Sequence, residues 1–434
     1  MQKIFFSLTM LAVIGLSQNA NAQTVTWYIG SPDTLDVTAT LNTVDSTLTI
    51  IGTGAMKNEW RKSFWDTLKD CITNVIIDSG VTTIGSFAFW DCSNLTSVII
   101  PNSVKTIKNE AFAGCSSLPF ITIPNSVTSI EFQAFADCSS LTSINIPDSV
   151  TSIENGTFAG CSSLPFISIP DSVTNIGNDA FRYCSNLDSI IIPDGVTTIA
   201  NGIFNNCGNL KSVKMGDNVS SIGSHAFYYC RNLPFIKIPD RITRIEGWTF
   251  EGCSSFTSIT IPDNVTTIGD LAFRYCSGLK SVTIGNSVDT IGDYAFETCS
   301  SLDTIIIPNS VQSIGNCAFA GCGSVKYVSI GNNVITIGDR AFGGCSFDSV
   351  IIPNSVISIG NDAFAYCGSL ISVTIGNSVK TIGDRAFLHC NLTSVIIPNN
   401  VDTIGDNAFW NCGNLKSVSI ENSVKTDFTL HFYH

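Results

Sequence analysis

The sequence predicts a β-rich solenoid of about 15 coils of 23 residues, with one long parallel sheet and short 3₁₀ or helical turns opposite it. Three observations predict it. A Phe recurs from Phe89 through Phe112 and Phe135 to Phe409, and a Cys follows each Phe three positions later, from Cys92 through Cys115 to Cys412. Between one pair and the next lies an L-x-x-I-x-I segment, such as Leu141, Ile144 and Ile146, whose last two members alternate with polar residues in the two-residue period of a strand. A Pro or Gly then closes most of these segments, and both residue types end strands.

Residues 1–22 read as a signal peptide. Lys3 gives a positive start, IFFSLTMLAVIGL is an apolar stretch too short to span a membrane, and Ala20-Asn21-Ala22 is a small-residue cleavage pattern. Cleavage there leaves Gln23 first, with no Cys beside the cut to carry a lipid. Residues 23–71 form an N-terminal cap, with Trp27, Leu41, Leu48, Ile50, Trp60, Phe64 and Trp65 as candidates to cover the first coil's apolar end.

Residues 72–426 are the solenoid. In the copy that starts at Leu141, Ile144 and Ile146 face inward, Pro147-Asp148-Ser149 turns the chain, and Val150 and Ile153 point a second extended segment inward. The spacing of Phe158 and Cys161 then suits one helical or 3₁₀ turn. Six or so apolar side chains make no core alone, so each coil needs neighbours above and below. Two steps are one residue short, at CSFDSV (Cys345) and CNLTSV (Cys390), and both deletions fall in a turn, where strand register survives. Residues 427–434, DFTLHFYH, alternate Phe428, Leu430 and Phe432 with other side chains, as a C-terminal cap strand or an edge available for self-association.

The formal net charge is −13, and the few Lys and Arg residues are dispersed, which argues against nucleic acid as a partner. No later stretch is long and apolar enough for a transmembrane segment, so the expectation is a soluble chain delivered across one membrane. Seventeen Cys residues in an exported chain would ordinarily suggest disulfides. Here fifteen share one structural position with parallel side chains, a poor approach for bridging, so they are expected as buried thiols. Cys71 and Cys317 lie outside the column.

No metal site is expected, because one Cys per coil gives a line and not a tetrahedron. No cofactor is implied. His225, His389, His431 and His434 are too scattered to form a catalytic group, no nucleophile motif occurs, and an enzyme is not expected. The carboxylates Asp270, Asp293, Asp339, Asp384 and Asp406 follow an Ile-Gly dipeptide. They could hold calcium between coils or cap the following turn, and Asn at the same place elsewhere favours capping.

The pattern IPNSVTSIGNxAFxGCSSLTSVTI, with its F-x-x-C column over about residues 72–424, resembles the leucine-rich repeats of BspA-type surface proteins, the treponemal class of that repeat. Residues 24–70, with Trp27, LTIIGTGAM, Trp60 and Trp65, resemble the segment that precedes such arrays. The resemblance implies a leucine-rich repeat superhelix, export to the cell surface and adhesive binding of host or matrix protein. No anchor or sorting domain is recognisable, which departs from many relatives.

The outward strand positions are the candidate site. The third position of the unit is usually Ser but becomes Phe120, Phe166, Phe235 and Tyr327, and the fifth becomes Lys214 or Lys237 in some coils and Ile99, Ile191, Ile306, Ile351 or Ile396 in others. On a concave sheet these residues would bind an extracellular protein, since exposed aromatics are common interface anchors. A glycan-binding module using aromatics near Asn145 and Asp188, and a self-associating envelope protein, are the alternatives. A second strip, Trp90, Tyr183, Tyr228, Tyr229, Tyr275, Tyr366 and Trp410 with Arg182 and Arg274, lies between each Phe and Cys.

Overall fold

A computed structural model describes residues 23–60 and 63–420 of the chain, so the leader expected at 1–22 and the strand expected at 427–434 lie outside the described residues. Contacts divide the chain into an N-terminal unit ending at Cys184 and a C-terminal unit beginning at Ser185.

In the N-terminal unit, Thr24–Tyr28, Val37–Asn42 and Thr47–Gly52 form an antiparallel meander. The last of these strands also pairs in parallel with Asn74–Ile77, matching Leu48 to Val75 and Ile50 to Ile77, and thereby opens the solenoid before residue 72. Trp65 is fully buried at the place a Phe would hold in that coil, 5.4 Å from the Phe89 ring and 5.9 Å from Trp27. Leu41, Leu48, Ile50 and Phe64 are also buried. Trp60 is not: it is 78% exposed. Trp65 already fills the ring-sized place ahead of Phe89, and the Glu59 N–H is tied to the Ser86 carbonyl, so Trp60 follows a surface segment.

Each coil supplies two short extended segments, and the stacking of parallel strands resolves into two ladders. In the C-terminal unit the second segments make an eight-stranded ladder from Arg244–Ile245 to Thr403–Ile404, with Ile268 against Ile291 and Ile337 against Ile359. First segments pair in shorter runs, such as Ser258–Thr260 with Ser281–Thr283. Three of their interruptions have a cause in sequence. The N–H groups of Thr142 and Lys280 donate to carbonyls of the preceding coil, and Pro119, Pro165 and Pro234 remove that donor. The segment after Pro119 is only Phe120–Ile121, and among the described residues no strand forms at Phe235. The two short coils keep register, with Ser372 opposite Ser394 and Thr336 opposite Ser358.

The opposite side is built on the Phe column. Successive rings stack nearly parallel, for example Phe112–Phe135 at 5.4 Å and 1° and Phe296–Phe319 at 5.2 Å and 1°. Such offset pairs add about 0.5–1.5 kcal/mol beyond area burial. The predicted turn is present as a single bond, Cys92 N–H to the Phe89 carbonyl at 3.2 Å, and does not continue as a helix. Residues two before and two after each Phe are left-handed, Phe87 at φ 59° and Asp91 at φ 56° in the first repeat. With that alternation, the N–H groups of Phe87, Phe89 and Asp91 all point to the next coil and bond Asn109, Ala111 and Ala113. This third ladder replaces the expected helical or 3₁₀ element; among the described residues the one 3₁₀ segment is Lys69–Cys71.

Because contacts run only between neighbouring coils, one ring deletion should act locally but strongly. Phe296→Ala is expected to cost about 3–5 kcal/mol in chemical denaturation. A loss below about 1 kcal/mol would mean that the column can collapse around the gap.

Candidate functional site

The outer face of the first-segment ladder carries the residues singled out from sequence. Phe120, Phe166, Phe235 and Tyr327 are all more than half exposed, so none is covered by a neighbouring Ser coil. In the N-terminal unit Phe120 is paired with Ser143, and Phe166 stands at the equivalent place one coil further on. Two coils correspond to roughly 10 Å, which leaves a polar gap between the rings. In the C-terminal unit Phe235 and Tyr327 are four coils apart and are not brought together. Lys214 is exposed, while Lys237 reaches Asp217 at 2.9 Å in a fully solvated pair of little energetic weight.

A tighter grouping surrounds Tyr327. Tyr327 pairs with Thr304 and lies between the coils of Ile306 and Ile351, and these two isoleucines are 57% and 69% exposed. Ile396 continues the column, with Ser329 and Thr374 alternating between the isoleucines. Beside Ile396 is a shallow cavity of about 370 Å³ whose walls include Ser372, Thr374, Asn377, Ser394 and Pro398. Sequence reading noted the isoleucines without selecting them. The signal was there, as apolar residues at one outward position in alternate coils.

Other candidates prove to be structural. Asn145 donates to the Ile123 carbonyl at 2.8 Å and accepts the Ile123 N–H at 3.0 Å, so its amide stitches two coils together. Asp188 pairs with Lys211 at 2.5 Å. Along the carboxylate column each side chain accepts the N–H of its counterpart in the next coil: Asp293 N–H to Asp270 at 2.9 Å, Asn316 to Asp293 at 2.6 Å, Asp406 to Asp384 at 2.8 Å. These bonds join successive coils instead of capping the following turn of the same coil, and Asn replaces Asp because only the shared acceptor oxygen is needed. Among the described residues, no group of three or more His, Cys, Asp or Glu side chains is placed to hold a metal. His225 stacks on Trp248 at 5.1 Å, and His389 stacks on Tyr366 at 5.0 Å and bonds Asn411 at 2.7 Å. His431 and His434 lie outside the described residues.

The Cys column is fully reduced and buried at fifteen positions, with Cys71 exposed and Cys317 half-buried. Its role is visible in the Sγ contacts. Cys115 donates to the Phe89 carbonyl and Cys276 to that of Phe250, each at 3.2 Å, one coil back. Burial pushes the thiols of Cys138, Cys184 and Cys322 up to about 12, which keeps them protonated and poor nucleophiles.

A family model described as the BspA type leucine rich repeat region (6 copies) matches residues 61–188, 105–234, 220–348 and 335–434. The chain belongs to the BspA-type leucine-rich repeat family. Among solved structures, a leucine-rich repeat protein from Bacteroides ovatus is similar to this BspA-type chain at 25% identity and TM-score 0.61, over 92% of this chain and 97% of its own. One from Eubacterium ventriosum is similar at 25% identity and TM-score 0.45, over 93% and 97%. A Treponema pallidum leucine-rich repeat protein reaches 31% identity and TM-score 0.36, over 45% of this chain and 87% of its own. No curated protein matches the chain. No helix among the described residues is long and apolar enough to cross a membrane.

The thiols set a pH dependence whose sign follows from linkage. The folded protein holds protons that the unfolded chain releases above the ordinary thiol value of 9.0, so stability is intact below that pH and falls from there toward 12. Each buried thiol contributes a slope of up to about 1.4 kcal/mol per pH unit. Urea midpoints should drop steeply above pH 9, and Cys138→Ala should reduce the number of protons released on unfolding by one. A midpoint that stays flat to pH 11 would contradict protonated, buried thiols.

Proposed function

We propose that the protein is an exported, surface-exposed repeat protein that binds a partner protein through the outer face of its first-segment ladder, without chemistry of its own. One observation carries the reading. Among outward strand positions that are otherwise Ser and Thr from Thr304 to Ile396, Ile306, Tyr327, Ile351 and Ile396 stand exposed on a hydrogen-bonded scaffold. Solvent-exposed apolar side chains in such a group, rimmed by hydroxyls, are the usual make-up of an interface centre. The neighbouring cavity gives a partner side chain a socket, and rigid strands lower the ordering cost of binding. Phe120 and Phe166 offer a second, smaller anchor pair on the N-terminal unit.

The leader-like residues 1–22 and the BspA-type family support delivery to the cell surface. Adhesion to host or matrix protein is the partner class that fits an exported array of this kind. Self-association through residues 427–434 concerns a segment outside the described residues.

The test is a surface plasmon resonance screen of residues 23–434 against extracellular-matrix proteins. The wild type is compared with Tyr327→Ser/Ile351→Ser and with Phe120→Ser/Phe166→Ser. Truncating two central anchors should weaken binding by roughly a hundredfold or more while the melting curve is unchanged. Affinity retained in both variants would remove the strand face as the site.

A further inference from the structure

The turn side of the C-terminal unit carries aromatic rings that neither the backbone nor the core requires. The left-handed positions flanking each Phe are free of strain for glycine, and Gly252, Gly321 and Gly344 hold them in some coils. Nearby they are held by Tyr229 (φ 54°), Trp248 (φ 58°), Tyr275 (φ 59°) and Tyr294 (φ 58°), for which this conformation is an outlier. The rings are not core either, since Trp248 is 38% and Tyr294 37% exposed. Non-glycine residues hold these positions in most coils, so the ladder sets the conformation; what marks this stretch is that so many of the residues there are aromatic.

Between the two left-handed columns runs a line of side chains in which Glu251, Arg274 and Glu297 follow one another. Arg274 Nε donates to Glu297 at 2.6 Å, Arg274 Nη1 lies 3.7 Å from the buried Glu251, and the guanidinium sits 4.2 Å over the Tyr275 ring and 5.9 Å from that of Tyr294. Burial pushes the Glu251 carboxyl up, while the Arg274 guanidinium draws it down. Gly252 leaves the space that the Tyr229 ring occupies; a Cβ there would stand 2.8 Å from its Cδ1.

We infer that this face of the C-terminal unit, centred on Trp248, Arg274, Tyr275 and Tyr294, binds a neutral oligosaccharide or polysaccharide. Partly exposed rings with hydroxyl or indole N–H rims suit a ligand that is apolar on its C–H faces and polar at its edges. One guanidinium between two carboxylates leaves the group no more than singly negative, so an anionic partner is disfavoured. Their planar donors and acceptors are nevertheless held in place for sugar hydroxyls. Exposed aliphatic side chains such as Ile306 and Ile351 of the strand face are nearly absent here apart from Leu271, and this sets a sugar above a peptide as the occupant. The inference does not depend on the strand face being a protein-binding site.

Affinity gel electrophoresis of residues 23–434 in the presence of soluble mixed-linkage β-glucan, galactomannan, dextran or starch tests it. The variants are Trp248→Gly/Tyr294→Gly, which keeps the left-handed backbone without strain, and Tyr327→Ser on the other face. At least one neutral polysaccharide should retard the wild type, and the double variant should weaken that by about tenfold or more, with an unchanged or higher melting temperature. Tyr327→Ser should leave it unaffected. Absence of retardation by all four polymers, retardation kept in the double variant, or a melting temperature several degrees lower would each overturn the assignment. The same holds if the double variant instead loses binding to a matrix protein, which would make this a protein interface.

Discussion

The Phe main-chain carbonyl is the atom on which this architecture turns. It accepts the N–H of the Cys three residues later and the S–H of the Cys in the next coil, as Phe89 does from Cys92 and Cys115. A buried carbonyl left with unused capacity in an apolar column would be costly, and a thiol is the one small, largely apolar side chain that can donate to it without adding a strongly solvated group. The pairing thus explains why Cys recurs three positions after Phe, and why these thiols are inert. The ring stack and the left-handed ladder follow from the same geometry: once the turn is closed by that bond, alternate N–H groups are aimed at the next coil and the rings are set about 5 Å apart, near the coil spacing.

A scaffold fixed from inside leaves its outside free to vary. The strand face needs only extended backbone, so its outward positions hold Ser in one coil, Phe in the next and Ile or Lys elsewhere without disturbing register, as Phe120 opposite Ser143 illustrates. The turn face needs left-handed backbone, which restricts it more. Aromatics there cost something in strain, whereas an exposed Ile on the strand face costs nothing in backbone terms. The two faces accordingly present different chemistry, largely hydroxylic with exposed isoleucines on one, aromatic with paired charges on the other.

Much of the fold was legible in the sequence because its determinants are periodic. The Phe and Cys columns, the inward Ile pairs and the harmless position of the two deletions could all be read from spacing. The left-handed ladder could not, because residues such as Trp248, Leu271 and Tyr294 carry no statistical mark of positive φ, and a Phe–Cys spacing of three fits a helical turn as well as an isolated one. Trp60 was misplaced because composition alone cannot tell which of several cap aromatics fills a single place. At the candidate site, exposure of Phe120, Phe166, Phe235 and Tyr327 was readable, but the grouping of Tyr327 with Ile306 and Ile351 required superimposing coils one above another. The carboxylate column was decided only by the hydrogen bonds that Asp270 and Asp293 accept.

The claim that the Cys column works as a row of hydrogen-bond donors is tested most directly by the Raman S–H stretch of the native protein. The account predicts a dominant band displaced to lower frequency than that of a free thiol, unchanged between pH 7 and pH 10 while the protein stays folded, with a minor free-thiol component from Cys71. A main band at the free-thiol position, or an S–S band in its place, would contradict it.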